Sequence, residues 1–248
     1  YLINNRLDYD VIYLPISYTP TDVVTMVALF LKKPTIVRVA RGEFSPEYFL
    51  GRVRLWFLPK LASAVVVLNK SLISIQNPFI KEKFHWIPNG VDTILFHPVQ
   101  PDSREKIGRQ WGFENKQKII LFVGSIVVRK GIDILLSAFS IITEKVKNVV
   151  LCLAGPTDTE GGKGKNNFVE RYQETIQREG LQARVRFLPR VFAVEELMRT
   201  ADIFVLPSRS EGMPNVLLEA MTALLNIPIG AKKFSFIRRT ICINHHII

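Results

Sequence analysis

The sequence predicts an α/β protein made of two doubly wound parallel-sheet domains, and three observations predict it. Short β-branched runs alternate with longer segments of helical spacing. The strand-like runs are apolar almost throughout, as in "KIILFV". The alternation occurs twice, on either side of a polar, proline-bracketed passage. Strands that are apolar on both faces belong to parallel sheets covered by their crossover helices. At 248 residues, 48% hydrophobic and 22% charged, the chain can bury two ordinary cores.

In the first series "DVIYLPIS" reads as a strand, "TDVVTMVALFL" as a helix, "PTIVRVARG" as a strand and "PEYFLGRVRLWFLPKLA" as a helix. "SAVVVLN" and "KFHWIPNGVD" follow as strands. A linker is expected near residues 95 to 104. The second series then reads "KIILFVGSI", "GIDILLSAFSIITEK", "NVVLCLAGP", "NFVERYQETIQRE", "RVRFLP", "VEELMRTA", "DIFVLPS" and a helix from "PNVLLEAM". The domains are expected at 1–100 and 101–222. Residues 223–248 break the pattern: they hold no acidic residue, seven isoleucines and four basic residues (Lys232, Lys233, Arg238 and Arg239). This tail reads as a segment from another reading frame or a foreign terminus.

Bulk properties narrow the function classes. Uninterrupted apolar runs fall short of the roughly 20 residues of a membrane span, so no transmembrane helix is expected. A net charge of +11 points to anionic partners. The charge is dispersed and no nucleic-acid-binding signature occurs, which favours a phosphate-rich small molecule or a membrane surface over nucleic acid. Two cysteines, Cys152 and Cys242, make no disulfide framework. Cys152 reads as a buried strand thiol in a reducing cytoplasm.

In doubly wound sheets, ligands bind beyond the carboxyl ends of the strands, which singles out the loops. "SEGMPNVLLEAM" spans residues 210 to 221, and its Glu211 and Glu219 are separated by seven residues. Pro214 suits a first helical turn, and Asn215, Glu219 and Thr222 fall on one helix face. Glu219 therefore belongs either to a solvated polar stripe or to a stripe that accepts a ligand's hydroxyls while the helix N-terminus faces an anion. In "GSIVVRKG", Gly124 permits a tight turn and Lys130 stands at the start of the next helix. A cation there costs about 0.3–1 kcal/mol unless an anion is shared, so Lys130 is a candidate phosphate ligand, and a solvated lysine is the alternative. The loop is not a G-x-x-x-x-G-K-[ST] phosphate loop. "EGGKGKNN" reads as a mobile loop and "DYD" at 8–10 as a surface turn. His85 and His97 lack zinc spacing and read as structural, so no metal site is expected.

Together these pieces resemble the retaining glycosyltransferases of the GT-B fold, specifically family 4. The residues that carry the likeness are "PNGVD" at 88–92, "FVGSIVVRKGID" at 122–133, "LAGP" at 153–156 and "ADIFVLPSRSEGMPNVLLEAM" at 201–221. The resemblance implies an acceptor-side first domain, a donor-side second domain and a UDP- or GDP-sugar as donor substrate, with no other cofactor. It implies that Glu219 accepts from the ribose hydroxyls, Glu211 lies by the donor sugar, and Lys130 holds the diphosphate. Gly124 and Ser125 would line the donor, and N–H groups from Gly212 through Met213 to Asn215 would assist Lys130. A glycan or lipid-linked acceptor is implied. The cysteine usage points to the cytoplasm, and the basic charge points to peripheral membrane contact through "LGRVRLWFLPKL" around Trp56 and Phe57; a buried helix capped by arginines is the alternative for that segment.

Three departures stand out. Ser125 replaces the family's usual arginine, at about 1.5–3 kcal/mol for one charge-assisted hydrogen bond. "ARGEF", with Arg41 and Glu43, replaces a loop that often carries histidine. The ends also differ: the resemblance implies that a full family member has a further strand–loop unit before residue 1 and further βα units after Ala223. Beside it both domains read as incomplete, and the chain reads as a truncated or frameshifted fragment. A remnant that at most binds nucleotide is therefore the alternative function. A GT-B epimerase is opposed by the "RKG" and "SEGMPN" loops, and an NAD-dependent enzyme by the lack of G-x-G-x-x-G.

Overall fold

The structure is a computed structural model that describes residues 7–15, 20–39, 60–68, 70, 73, 81–156, 168–209, 211, 213–224 and 240–241. It forms two compact units, Tyr1–Asn89 with Glu211–Met213 and Ile248, and Gly90–Ser210 with Pro214–Ile247.

In the first unit β1 (Ile12–Pro15), β2 (Thr35–Val39), β3 (Ala64–Val67) and β4 (Phe84–Trp86) lie in that spatial order, all parallel. Helix α1 (Pro20–Phe30) joins β1 to β2. The core is small: Val37, Val39, Ala62, Val65, Val67 and Phe84. In β2 the buried Thr35, Val37 and Val39 alternate with half-buried Ile36 and Arg38, so this strand is less uniformly apolar in its surroundings than expected. Trp56, Phe57, Arg41 and Glu43 lie outside the described residues.

The second unit holds the larger core. Its strands β5 (Lys118–Val123), β6 (Val149–Ala154), β7 (Val185–Leu188), β8 (Ile203–Val205) and β9 (Thr240–Ile241) are all parallel, in the order β7-β6-β5-β8-β9. The chain starts at the centre with β5, builds outward through β6 and β7, then returns to build the other side through β8. That reversal makes the β5/β8 boundary the topological switch point. Every residue of β6 is buried, as its unbroken apolar run requires. Helix α3 (Ile132–Lys145) buries Ile132, Leu135, Leu136 and Phe139, an i, i+3, i+4, i+7 stripe. Helices α4 (Phe168–Arg178) and α5 (Val194–Thr200) complete the crossovers as read from the sequence. Among the described residues, no helix is long and apolar enough to cross a membrane.

The passage read as a linker is packed instead. Phe96 is buried in the second core, and α2 (Pro101–Gln110) begins on Pro101, with Asp102 in its first turn and Arg109 in its last. Apolar content misses this segment because its anchor is ionic. Arg104 donates to Asp202 at 2.6 Å and to the Thr200 carbonyl at 3.0 and 2.8 Å. Asp202 also accepts from Lys118 at 3.2 Å and from the Ile119 N–H at 2.9 Å. One carboxylate thus ties α2 to the amino ends of β5 and β8. At the other end of the unit, Thr240–Ile241 pairs with β8 in parallel register, so part of the segment read as aberrant takes the position of a next strand. The rest of that tail lies outside the described residues.

Asp202→Ala leaves the Ile119 N–H without its acceptor and the Arg104 guanidinium with only the Thr200 carbonyl. It is expected to cost about 1.5–3 kcal/mol in urea unfolding, and a loss under about 0.5 kcal/mol would contradict this role.

Candidate nucleotide site at the switch point

The loops after β5 and β8 meet at the carboxyl edge of the second sheet. After β5 the chain turns at Gly124, runs through Ser125–Val127, forms a 3₁₀ turn at Val128–Lys130 and enters α3. Gly131, between turn and helix, has φ 69°, the left-handed region that favours glycine. A Cβ there would lie 2.1 Å from the Pro207 carbonyl oxygen, so only glycine lets the two loops close on one another.

Lys130 folds back over the end of β5. A Cβ built on Gly124 would meet Lys130 Cε at 3.6 Å and Nζ at 3.7 Å. The ammonium therefore sits above the backbone at the strand's carboxyl end. The turn beneath it is held by Lys130 N–H to the Val127 carbonyl and Gly131 N–H to the Val128 carbonyl, both 3.0 Å. Ser125 is exposed on the same loop.

Past β8, Leu206, Pro207 and Ser208 are buried and Arg209 is exposed. Helix α6 (Asn215–Leu224) starts one residue later than the sequence reading had it, with Pro214 just before it. Val216 and Leu217 pack on the core with the buried Ala220 and Ala223. Glu219 is half-buried beside that face, and no described residue forms a hydrogen bond or ion pair with it. Burial pushes its carboxyl above the ordinary value of 4.5. Asn215 is exposed at the helix start, and the Thr222 hydroxyl donates back to the Leu218 carbonyl at 2.8 Å. Thr222 thus turns inward to its own helix, while Glu219 keeps its acceptor capacity.

Glu211 and Met213 are grouped with the first unit, and Gly212 lies outside the described residues. There Asn89 of "PNGVD" donates its N–H to Met213 Sδ at 3.3 Å and its side-chain amide to the Met213 carbonyl at 3.1 Å. Arg38 donates to Asn89 Oδ1.

Sequence reading missed Arg209 and Asp133. Both Asp133 oxygens accept from Arg209, at 3.0 and 2.5 Å, and this contact holds the Asp133 carboxyl below its ordinary 3.8. No spacing rule finds a pair 76 residues apart. Sequence reading also passed over Ser208, whose buried hydroxyl has no hydrogen-bond partner among the described residues. Of the other residues weighed, Cys152 is the buried strand thiol expected, its pKa pushed up to about 12 by desolvation. "DYD" is a surface turn, and His85 and His97 are exposed. The "EGGKGKNN" loop lies outside the described residues.

Two parallel-sheet units of this kind define an α/β protein of the GT-B fold. Anabaena HepE, solved in complex with UDP and glucose, matches 90% of this chain and 59% of its own at a TM-score of 0.74 and 23% identity. The profile of the Glycosyl transferases group 1 family matches residues 103–242, more than half of the chain, and the chain belongs to that family. Mannosylfructose-phosphate synthase of Agrobacterium fabrum is 31% identical over 158 residues, 61% of this chain and 33% of that protein. Lipopolysaccharide glucosyltransferase WaaG of Escherichia coli is 27% identical over 172 residues, 68% of this chain and 43% of that protein. The chain thus spans less than half the length of these curated relatives.

The raised Glu219 pKa has a definite sign in stability. Between 4.5 and its raised value the folded state holds a proton that the unfolded state has released, so stability falls as pH rises through that window. Glu219→Gln is expected to raise the urea midpoint slightly at pH 7 and to lose that advantage at pH 4. A midpoint below wild type at pH 7 would show that the carboxylate is a stabilising group.

Proposed function

We propose that the chain carries the donor-binding part of a retaining family 4 glycosyltransferase, which moves a hexose from a UDP- or GDP-sugar to a glycan or lipid-linked acceptor. The observation that carries this reading is the placement of Lys130 Nζ over Gly124 at the carboxyl end of β5. Glu219 supports it, because a half-buried carboxylate with open acceptor sites suits the paired hydroxyls of a ribose. Support also comes from the fold shared with HepE, which was solved with UDP and glucose. The reading extends to a reducing cytoplasm and to peripheral contact with an anionic membrane.

In this reading each group has one task. The bond between the anomeric carbon and the diphosphate oxygen breaks, and the acceptor's hydroxyl oxygen forms the new bond to that carbon. The hydroxyl proton passes to the departing diphosphate, on which negative charge collects as the sugar gains oxocarbenium character. Lys130 and the N–H groups at the start of α6 face that charge, and fixed donors aimed at developing charge favour the transition state. Glu219 holds the ribose, and Glu211 lies by the donor sugar. Gly124 keeps the space above β5 open for Lys130.

A second reading, a remnant that binds nucleotide without turnover, is favoured by Ser125, which stands exposed where the family resemblance calls for arginine. Calorimetric titration of UDP and then GDP into the purified chain separates the readings when followed by an assay of hexose transfer. Saturable binding is expected, weakened about 10- to 150-fold in Lys130→Ala by the 1.5–3 kcal/mol of one charge-assisted contact and lost in Glu219→Ala. Binding without transfer supports the remnant. Equal affinity in wild type and both variants contradicts the site.

A further inference from the structure

We propose that Arg209 is a positioning residue: it holds the Val128–Lys130 turn in the arrangement that presents the Lys130 ammonium to a diphosphate, with Asp133 as its anchor. The inference rests on the reading of Lys130 given above.

Arg209 reaches three points around Lys130. Its N–H donates to the Arg129 carbonyl at 2.9 Å. Nη1 donates to the Val128 carbonyl at 2.6 Å. The guanidinium also forks onto both oxygens of Asp133, in the first turn of α3. One side chain from the loop after β8 therefore grips the turn itself and the helix that follows it. The turn needs such support, because a single 3₁₀ turn has poorer hydrogen-bond geometry than an α-helix. Gly131, the N-cap residue of α3, also offers no side-chain cap.

The chemistry of the pair favours a local purpose. Exposed ion pairs contribute little to global stability, and both side chains here are well exposed. A lysine could neutralise Asp133 but could not contact both its oxygens and the Val128 carbonyl in one plane. The contacts converge on the two residues before Lys130 and the helix start after it. They fix the direction from which the lysine leaves the backbone, and with it the position of Nζ over Gly124.

The test combines a double-mutant cycle with amide hydrogen exchange. UDP affinity is measured in wild type, Arg209→Ala, Lys130→Ala and the double variant. Arg209→Ala is expected to weaken binding about tenfold, or ~1.4 kcal/mol, but to add less than twofold once Lys130 is already alanine. In the unliganded protein, exchange of the Lys130 and Gly131 amides is expected to speed up in Arg209→Ala, while the β6 amides keep wild-type protection. Losses that multiply across the cycle, an affinity within twofold of wild type, or unchanged exchange at Lys130 and Gly131 would each overturn the proposal. If the wild-type chain takes neither UDP nor GDP, the functional reading fails, and the exchange measurement alone decides whether Arg209 holds the turn.

Discussion

The second unit depends on one close approach, that of Gly131 to the Pro207 carbonyl. In a parallel sheet wound outward in both directions, the loops after the two innermost strands leave on opposite sides and open a crevice between them. Here that crevice is drawn tight at its base. A methyl group at residue 131 would overlap the carbonyl oxygen, and the left-handed backbone that directs the chain into α3 is itself costly for any residue but glycine. Several features follow from this contact: α3 starts beside the β8 loop, Arg209 comes within reach of Asp133, and Lys130 turns back over Gly124.

Two groups of charged residues lie at opposite ends of the sheet. At the amino end, Asp202 is saturated by Arg104, Lys118 and a backbone N–H, and this arrangement is architectural. At the carboxyl end, Glu219 is partly desolvated and receives no hydrogen bond from the described residues. A half-buried carboxylate without a donor is a standing cost to the fold. A ligand that supplies the missing donors offsets that cost, and titratable groups shifted by their surroundings are found more often at functional sites. Asp133 lies at the same edge, and its charge is already matched by Arg209.

Much of the fold was legible because parallel strands need apolar residues on both faces. "KIILFV" and "VVLCLA" announce central strands in any context, and the α3 stripe is periodic. The packed segment before α2 was not legible. Phe96 is one aromatic among prolines, and Arg104 finds Asp202 only in three dimensions, 98 residues on. Thr240–Ile241 was equally hidden, because two residues in a basic, isoleucine-rich stretch carry no strand period. In the site, Gly124, Lys130 and Glu219 could be picked out because each is locally anomalous: a glycine closing a strand, a cation at a helix start, an acid within an apolar run. Arg209 and Asp133 are ordinary in their own segments, and only the folded chain makes them partners.

The central claim is that Glu219 is an acceptor held open for a nucleotide's hydroxyls. Its most direct test is a ¹³C NMR titration of the Glu219 side-chain carboxyl, assigned by Glu219→Gln, without ligand and with saturating UDP or GDP. The account predicts a midpoint above 4.5 in the unliganded protein and a clear downward shift on binding, because hydroxyl donors favour the ionised form. A midpoint at the ordinary carboxylate value without ligand, or one that bound nucleotide leaves unmoved, would contradict it.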